Sequence, residues 1–532
     1  MNETLDYLKT FTHLPLALQR FSRHTTMTVD EAKLVVRERL ERREESFLQF
    51  VGRSIYDHPA SPYLPLLEMA GCEFADLQAL VRGKSLEGAL RQLRDAGVYI
   101  TFEEFKGRKP IVRHGKTIPV SAHAFDNPFM PRAFTIESGG STGAATNVGV
   151  NLEQVAARAP HELLTLSAHG LLHVPSLRWS PILPSGTLRN ILRTVYIGQP
   201  PLRWFSPLGL RDSRYWLKYG LATYYILFWV RAWGMPVPWP EYVRIDQAIK
   251  IARCAADLLR THGQCLIQTN PSRSMRVVMA AQEAGLDLRG ATFQGSEEPA
   301  TPAKVGYLER AGVRFVSNYG MVEANRIGSA CARPYDAGDV HLLSDALALI
   351  SYPYLVEDLG IPVPAFNLTT LLPSSSKVML NVQIDDYGIV EERHCGCELD
   401  TCGFTTHLRQ IRSYSKLTGE GVTLIGTEME RILEEVLPAH FGGSPLDYQM
   451  MEEEDEQGFT RLYVLIHPRL EIGDEQRVVE VILHALSESS PMADATRTVW
   501  EQMQTVRVKR AEPVLTQRGK LLPLHSQRGS TR

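Results

Sequence analysis

The feature that most constrains this chain lies between residues 265 and 320, where short apolar runs alternate with helical patterns. The run "QCLIQT" leads into a helical pattern from Arg273 to Ala284, then come "LRGATFQG", a helical pattern near Pro302 to Ala311, and "VRFVSNYG". Strand, helix, strand, helix, strand predicts a parallel sheet in an α/β body, because parallel neighbours need a crossover and a helix supplies it. Ligands of such sheets bind at the carboxyl ends of the strands, and the polar residues of these runs gather there. At 532 residues the chain exceeds one ordinary core, so a large body with a smaller unit beside it is expected.

The flanking segments extend this plan. Thr28 to Tyr56 reads as a helix: Thr28 and Glu31 form a capping box, and Val29, Ala32, Val36, Leu40, Phe47 and Val51 recur near helical period. Val112 to Val120 interleaves apolar and polar residues around a Gly115 turn. Residues 1–120 are read as a mainly helical cap on a body that runs to 415. Beyond about Ser413 the pattern changes. Strand-like "VTLIG" precedes a helix from Thr427 to Leu437, strands near Asp447 to Met451 and Arg461 to His467, a helix from Asp474 to Leu486 and a last strand from Thr505 to Arg510. Segment 416–532 is therefore expected to be a small, mobile α+β lid domain.

Bulk chemistry excludes several functions. Lys and Arg total 57 against 60 Asp and Glu, so no basic field invites nucleic acid. Seven cysteines are too few and odd for a disulfide framework, which points to a reducing compartment and a cytoplasmic location. The first residues lack the basic start and apolar run of a signal peptide. The most lipid-like stretch, Leu221 to Val230, reaches Arg231 after ten residues, whereas a spanning helix needs about 20. It reads as a buried helix or pocket wall, with no membrane span. Around it Trp204, Phe205, Trp216, Tyr224, Tyr225, Phe228, Trp229, Trp233 and Trp239 could line an acyl site or simply fill a core.

Four ordered segments carry chemistry. Ser138-Gly139-Gly140-Ser141-Thr142-Gly143, ending at Thr146, has the glycines and hydroxyls for a loop whose N–H groups converge on phosphate, without the lysine of a Walker loop. Gly295-Ser296-Glu297 and Asn318-Tyr319-Gly320-Met321-Val322-Glu323 offer an aromatic face for a purine, a close backbone approach and a hard oxygen for a cation. Asp385 and Asp386, then Arg412, suit a ribose. Lys520 follows Gly519 near the end.

In this order the segments resemble the motifs of the adenylate-forming enzymes, which group acyl-CoA synthetases, adenylation domains and luciferases. They look closest to the phenylacetate-CoA ligase branch, which also ends its loop in threonine. The resemblance implies an ATP-dependent ligase that activates a small-molecule carboxylic acid as acyl-AMP. ATP would rest on Ser138 to Gly143, Thr146, Gly295, Ser296, Glu297, Asn318, Tyr319, Gly320, Asp386 and Arg412. Glu323 would bind Mg2+, and Lys520, Glu323 and Thr142 would act in catalysis. Coenzyme A is the branch's usual acceptor. Ile411, Tyr414 and Ser415 depart from the family's hinge and Val322 from its hydroxyl. A protein thiol, a carrier protein, an amine, or a non-catalytic nucleotide-binding role therefore stays open, as does a homodimer. By the same resemblance Cys331, His341, Cys395 and Cys397, with Cys402 as a substitute, read as structural Zn2+ ligands or as free thiols.

Overall fold

The alternating segment forms a sheet of six strands, which in spatial order are Arg314–Ser317, Ala291–Gly295, Cys265–Gln268, Ser176–Trp179, Arg203–Ser206 and Pro240–Tyr242. Every pairing is parallel. Such strands are covered on both faces, which is why Leu266, Ile267 and Phe293 are all buried. Strand order reverses between Ser176–Trp179 and Cys265–Gln268, opening the crevice in which ligands of doubly wound sheets bind. The structure, a computed structural model, describes residues 13–24, 26–137, 146–209, 216–298, 300, 302–356, 361–413, 416–419, 422–425, 429, 431–443, 447–455, 459–487, 491–514 and 524–526.

A second sheet has seven strands, in the order Tyr319–Met321, Asn325–Ala330, Val340–Leu342, Thr406–Ser413, Val382–Glu392, Ile361–Thr370 and Leu347–Val356, all antiparallel. Helices Arg43–Val51, Leu64–Met69, Phe74–Lys84 and Leu86–Asp95 cover it. Phe47, Leu67 and Leu90 share one core with Leu349, Phe366 and Leu368. Buried Arg94 ties helix to sheet by donating to Asn367 Oδ1 at 3.1 Å and Gln383 Oε1 at 2.9 Å.

The Thr28 capping box is present, with the Thr28 N–H donating to Glu31 Oε2 at 2.7 Å. The single helix expected after it is broken at Arg42 into Val29–Glu41 and Arg43–Val51. Around Gly115 the strands Ile111–Arg113 and Lys116–Ile118 pair antiparallel. His114 and Gly115 both take positive φ, as a two-residue hairpin with native twist requires.

The C-terminal unit holds a four-stranded sheet ordered Val506–Arg510, Thr460–Ile466, Tyr448–Glu454 and Leu524–Ser526. Helices Glu475–Ser487 and Pro491–Met503 accompany it. The second of these was not legible, because its early residues are polar and small in sequence; among its described side chains Val499, Trp500 and Met503 reach the core. The unit docks on the helical layer of the parallel sheet. The Ile245 N–H donates to Gln502 Oε1 at 3.1 Å, and the Arg276 guanidinium lies 4.3 Å from the Phe459 ring centre.

Helix Trp216–Ala232 contains the lipid-like run. Ala222, Ile226, Leu227 and Val230 face inward, while Leu221 is 62% and Phe228 57% exposed. Among the described residues no helix is long and apolar enough to cross a membrane.

Candidate functional site

Gly295 ends its strand at the carboxyl edge of the parallel sheet with its α-carbon against the neighbouring strand. A Cβ added there would lie 1.8 Å from the Thr269 carbonyl oxygen, so only glycine fits. The Gly295 carbonyl accepts from the Asn318 N–H at 2.8 Å, which carries the chain from the parallel sheet into Tyr319–Met321, first strand of the antiparallel one. Tyr319 then donates its hydroxyl to Asp386 Oδ2 at 2.7 Å. Burial, and then the Asp386 charge, raise the Tyr319 phenol well above its ordinary pKa, so it stays a neutral donor. Arg412 stands opposite Tyr387 on the neighbouring strand, one place from the Asp386 pairing with Ser413. Gly295, Asn318, Tyr319, Gly320 and Asp386 are thus gathered where the two sheets meet, whereas Arg412, one position out of step with Asp386, is exposed on the alternate face of the strand pair.

Ser296 and Glu297 follow on the same lip. Glu297 takes φ +84°, a costly conformation for a side-chain-bearing residue that tends to persist at ligand sites. Its side chain is solvent-accessible. Desolvation raises its carboxyl pKa, with Arg273 opposing. Thr146 is buried at the start of strand Asn147–Val150. Ser138, Gly139, Gly140, Ser141, Thr142, Gly143 and Lys520 lie outside the described residues.

The turn carrying Glu323 is clamped residue by residue. Arg189 donates to the Val322 carbonyl at 3.0 Å and Arg158 to the Ala324 carbonyl at 3.1 Å. Arg193 donates to Asn325 Oδ1 at 3.1 Å and lies 3.2 Å from Glu162. Arg326 is ion-paired with the same Glu162. Arg189 and Arg193 sit one turn apart on helix Thr187–Tyr196, so one helix face grips the turn twice. Burial lowers Arg158 and Arg189 to about 10 and Arg193 to about 9, leaving all three cationic at neutral pH. Arginine suits this work because its planar fork is weakly hydrated and reaches several acceptors at once.

Glu323 itself is 2% exposed and ion-paired with Lys106, which is 6% exposed. Burial raises its carboxyl pKa, but the charge and hydrogen bond of Lys106 outweigh that and hold it below the usual value. An ionised carboxylate oxygen is the hard donor that Mg2+ takes, so Glu323 fits the ion in kind. In this arrangement its charge is met by the ammonium. Lys106, Arg158, Arg189 and Arg193 were not anticipated. In sequence Arg189 and Arg193 differ from solvated arginines only in standing among Leu188, Ile191, Leu192 and Val195, all of them buried.

The soft ligands converge elsewhere. One donor atom each from Cys331, His341, Cys395 and His407 lies within 4.8 Å of the others. Cys397 Sγ is 3.2 Å and Cys395 Sγ 3.6 Å from His341 Nε2, and Cys331 Sγ is 3.6 Å from Cys395 Sγ. His341 Nδ1 contacts the Phe404 carbonyl at 2.6 Å. A carbonyl only accepts, so the proton is on Nδ1 and the Nε2 lone pair faces the sulfurs, the usual outer-sphere arrangement of a ligating histidine. His407 Nδ1 contacts Asp339 Oδ1 at 2.6 Å, and its buried Nε2 has no hydrogen-bond partner. The hydrogen bond between Cys331 and Cys397 raises the first thiol and lowers the second, so the cluster favours a thiolate. These donors fit a structural metal. His407 is an addition to the expected ligands, and Cys402 is not in the converging set.

No protein-family profile matches the sequence, and no curated protein does. Among solved structures, a 2-hydroxyisobutyryl-CoA ligase in complex with 2-HIB-AMP and CoA, in the thioesterification state, matches with a TM-score of 0.54 at 12% identity. That match covers 94% of this chain and 91% of the other. The same ligase in its postadenylation state matches with a TM-score of 0.44 at 13% identity over 95% of this chain and 91% of that one. An amide bond synthetase from Marinactinospora thermotolerans matches at 0.41 and 12% identity, over 91% and 92%. At such identity the likeness is one of fold. The chain shares with the first of these a two-domain α/β architecture, here a body built on a parallel core sheet and an antiparallel sheet, with a smaller C-terminal unit.

Proposed function

We propose that this chain is an ATP-dependent ligase that activates a carboxylic acid as acyl-AMP, releases pyrophosphate and passes the acyl group to a nucleophile. The observation that carries this is the meeting of Gly295, Asn318, Tyr319 and Asp386 where the two sheets join, within a fold shared over 94% of the chain with a CoA ligase solved with 2-HIB-AMP and CoA. In this reading the purine lies against Tyr319 and the ribose hydroxyls against Asp386 and Arg412. The triphosphate rests on the loop from Ser138 to Gly143, with Thr142 and Thr146 adding hydroxyls. Magnesium on Glu323 offsets triphosphate charge when bound. Lys520 neutralises charge that develops between the carboxylate and the α-phosphate, a contact made in the transition state.

Coenzyme A in a cytoplasmic setting is the proposed acceptor, as in phenylacetate-CoA ligases. A protein thiol, carrier protein or amine is the second reading, favoured by Ile411, Tyr414 and Ser415 in place of the usual hinge residues. For the soft-ligand cluster we propose a structural zinc held by Cys331, His341, Cys395 and either Cys397 or His407.

The test is ATP–pyrophosphate exchange across aryl, fatty and amino acids. Exchange with one acid class is expected, lowered roughly a hundredfold or more in Lys520→Ala. Silence with every acid would sink the ligase reading. Exchange without acyl-CoA formation would favour the second acceptor.

A further inference from the structure

Lys106 and Glu323 are 217 positions apart, yet each is nearly removed from water in the other's company. Burying two charges is expensive and weak evidence for stability, so such a pair asks for another explanation. Its surroundings sharpen the question. Lys106 closes the short helix Phe102–Phe105, whose Glu104 is bound by both guanidinium nitrogens of Arg113 at 2.7 and 2.9 Å. Gly107 follows at φ +69°, and a Cβ there would lie 2.4 Å from the Ala122 backbone nitrogen. The backbone on both sides of Lys106 is therefore fixed. On the far side, Arg189 and Lys377 add positive charge near Glu323, and Lys377 is itself ion-paired with Asp126 at 2.5 Å. A divalent ion approaching Glu323 meets cations already in place.

We infer that Lys106 is the built-in counter-cation of Glu323, and that a divalent ion binds this carboxylate only by displacing the Lys106 ammonium. The inference rests on the reading of Glu323 as an ion ligand and goes beyond it by making ion binding a competition within the protein. The segment around Lys106, outside the four motifs, then sets how much divalent ion the site needs. The fixed backbone means that displacement is a side-chain movement.

The test measures Mn2+ binding to the full chain without nucleotide, by electron paramagnetic resonance, so it is independent of turnover. Wild type should bind weakly at this site. Lys106→Met and Lys106→Gln, each checked for native circular dichroism, should bind one Mn2+ at least tenfold more tightly. Adding Glu323→Gln to either should abolish the gain, and Lys106→Arg, which keeps the charge, should stay as weak as wild type. Equal or weaker Mn2+ binding by both folded neutral variants would overturn the inference, as would a gain that survives Glu323→Gln. Failure of pyrophosphate exchange would remove the ligase reading without altering these binding results.

Discussion

At Gly295 one hydrogen stands where a methyl group would run into the Thr269 carbonyl. Gly295→Ala must push the two strands apart at their carboxyl ends, at a cost of about 1–3 kcal/mol, read as a lower urea midpoint together with weaker nucleotide binding. His161 offers a second residue-scale test. It is fully buried with Nε2 2.8 Å from Asp345 Oδ1. Burial lowers its pKa to about 4 although Asp345 opposes the shift. The unfolded chain therefore takes up a proton near pH 6.5 that the folded one refuses. Stability is full above about pH 6.5 and falls as pH drops toward 4, by up to about 3 kcal/mol. Glu162, lowered to about 2 because the charges of Arg326, Arg193 and Arg178 outweigh its burial, extends the loss below about pH 4.5. Urea unfolding at stepped pH should show both limbs, and His161→Gln should flatten the upper one.

Between elements, the soft-ligand cluster depends on strand pairing. His341 and His407 face each other because Val340–Leu342 pairs antiparallel with Thr406–Ser413, and the turn bearing Cys395 and Cys397 closes over them. Cys395→Ser should abolish binding of the proposed structural metal, and chelation of the native protein should lower Tm, checked by metal analysis and calorimetry. Cys397→Ser and His407→Ala then identify the fourth ligand, since only one of them should lose stoichiometric metal. The same scale explains the Glu323 turn, where Arg189 and Arg193 of one helix add their hold to the hairpin pairing of Tyr319–Met321 with Asn325–Ala330.

In the molecule as a whole, the C-terminal unit shares a continuous apolar core with the helices behind the parallel sheet. Unfolding should therefore be one transition for both parts, with tryptophan fluorescence and far-ultraviolet circular dichroism giving coincident curves in denaturant. Two separated midpoints would mean that the contacts of Gln502 and Phe459 with the body contribute little.

The alternation of 265–320, the Thr28 cap and the Gly115 hairpin were legible because each is local: a periodicity, a side chain meeting a backbone three residues on, a turn needing positive φ. The glycine positions Gly295 and Gly320 and the aromatic Tyr319 were legible as motifs for the same reason. The sequence by itself thus determined the α/β body and offered the segments proposed to carry nucleotide chemistry. Only the tertiary structure decided what surrounds them. Lys106 meets Glu323 across 217 positions, His161 meets Asp345 across 184, and His407 joins the cysteines through the partner strand. Such pairings depend on how sheets and helices pack, and packing brings together residues whose own neighbours in sequence bear no mark of the encounter.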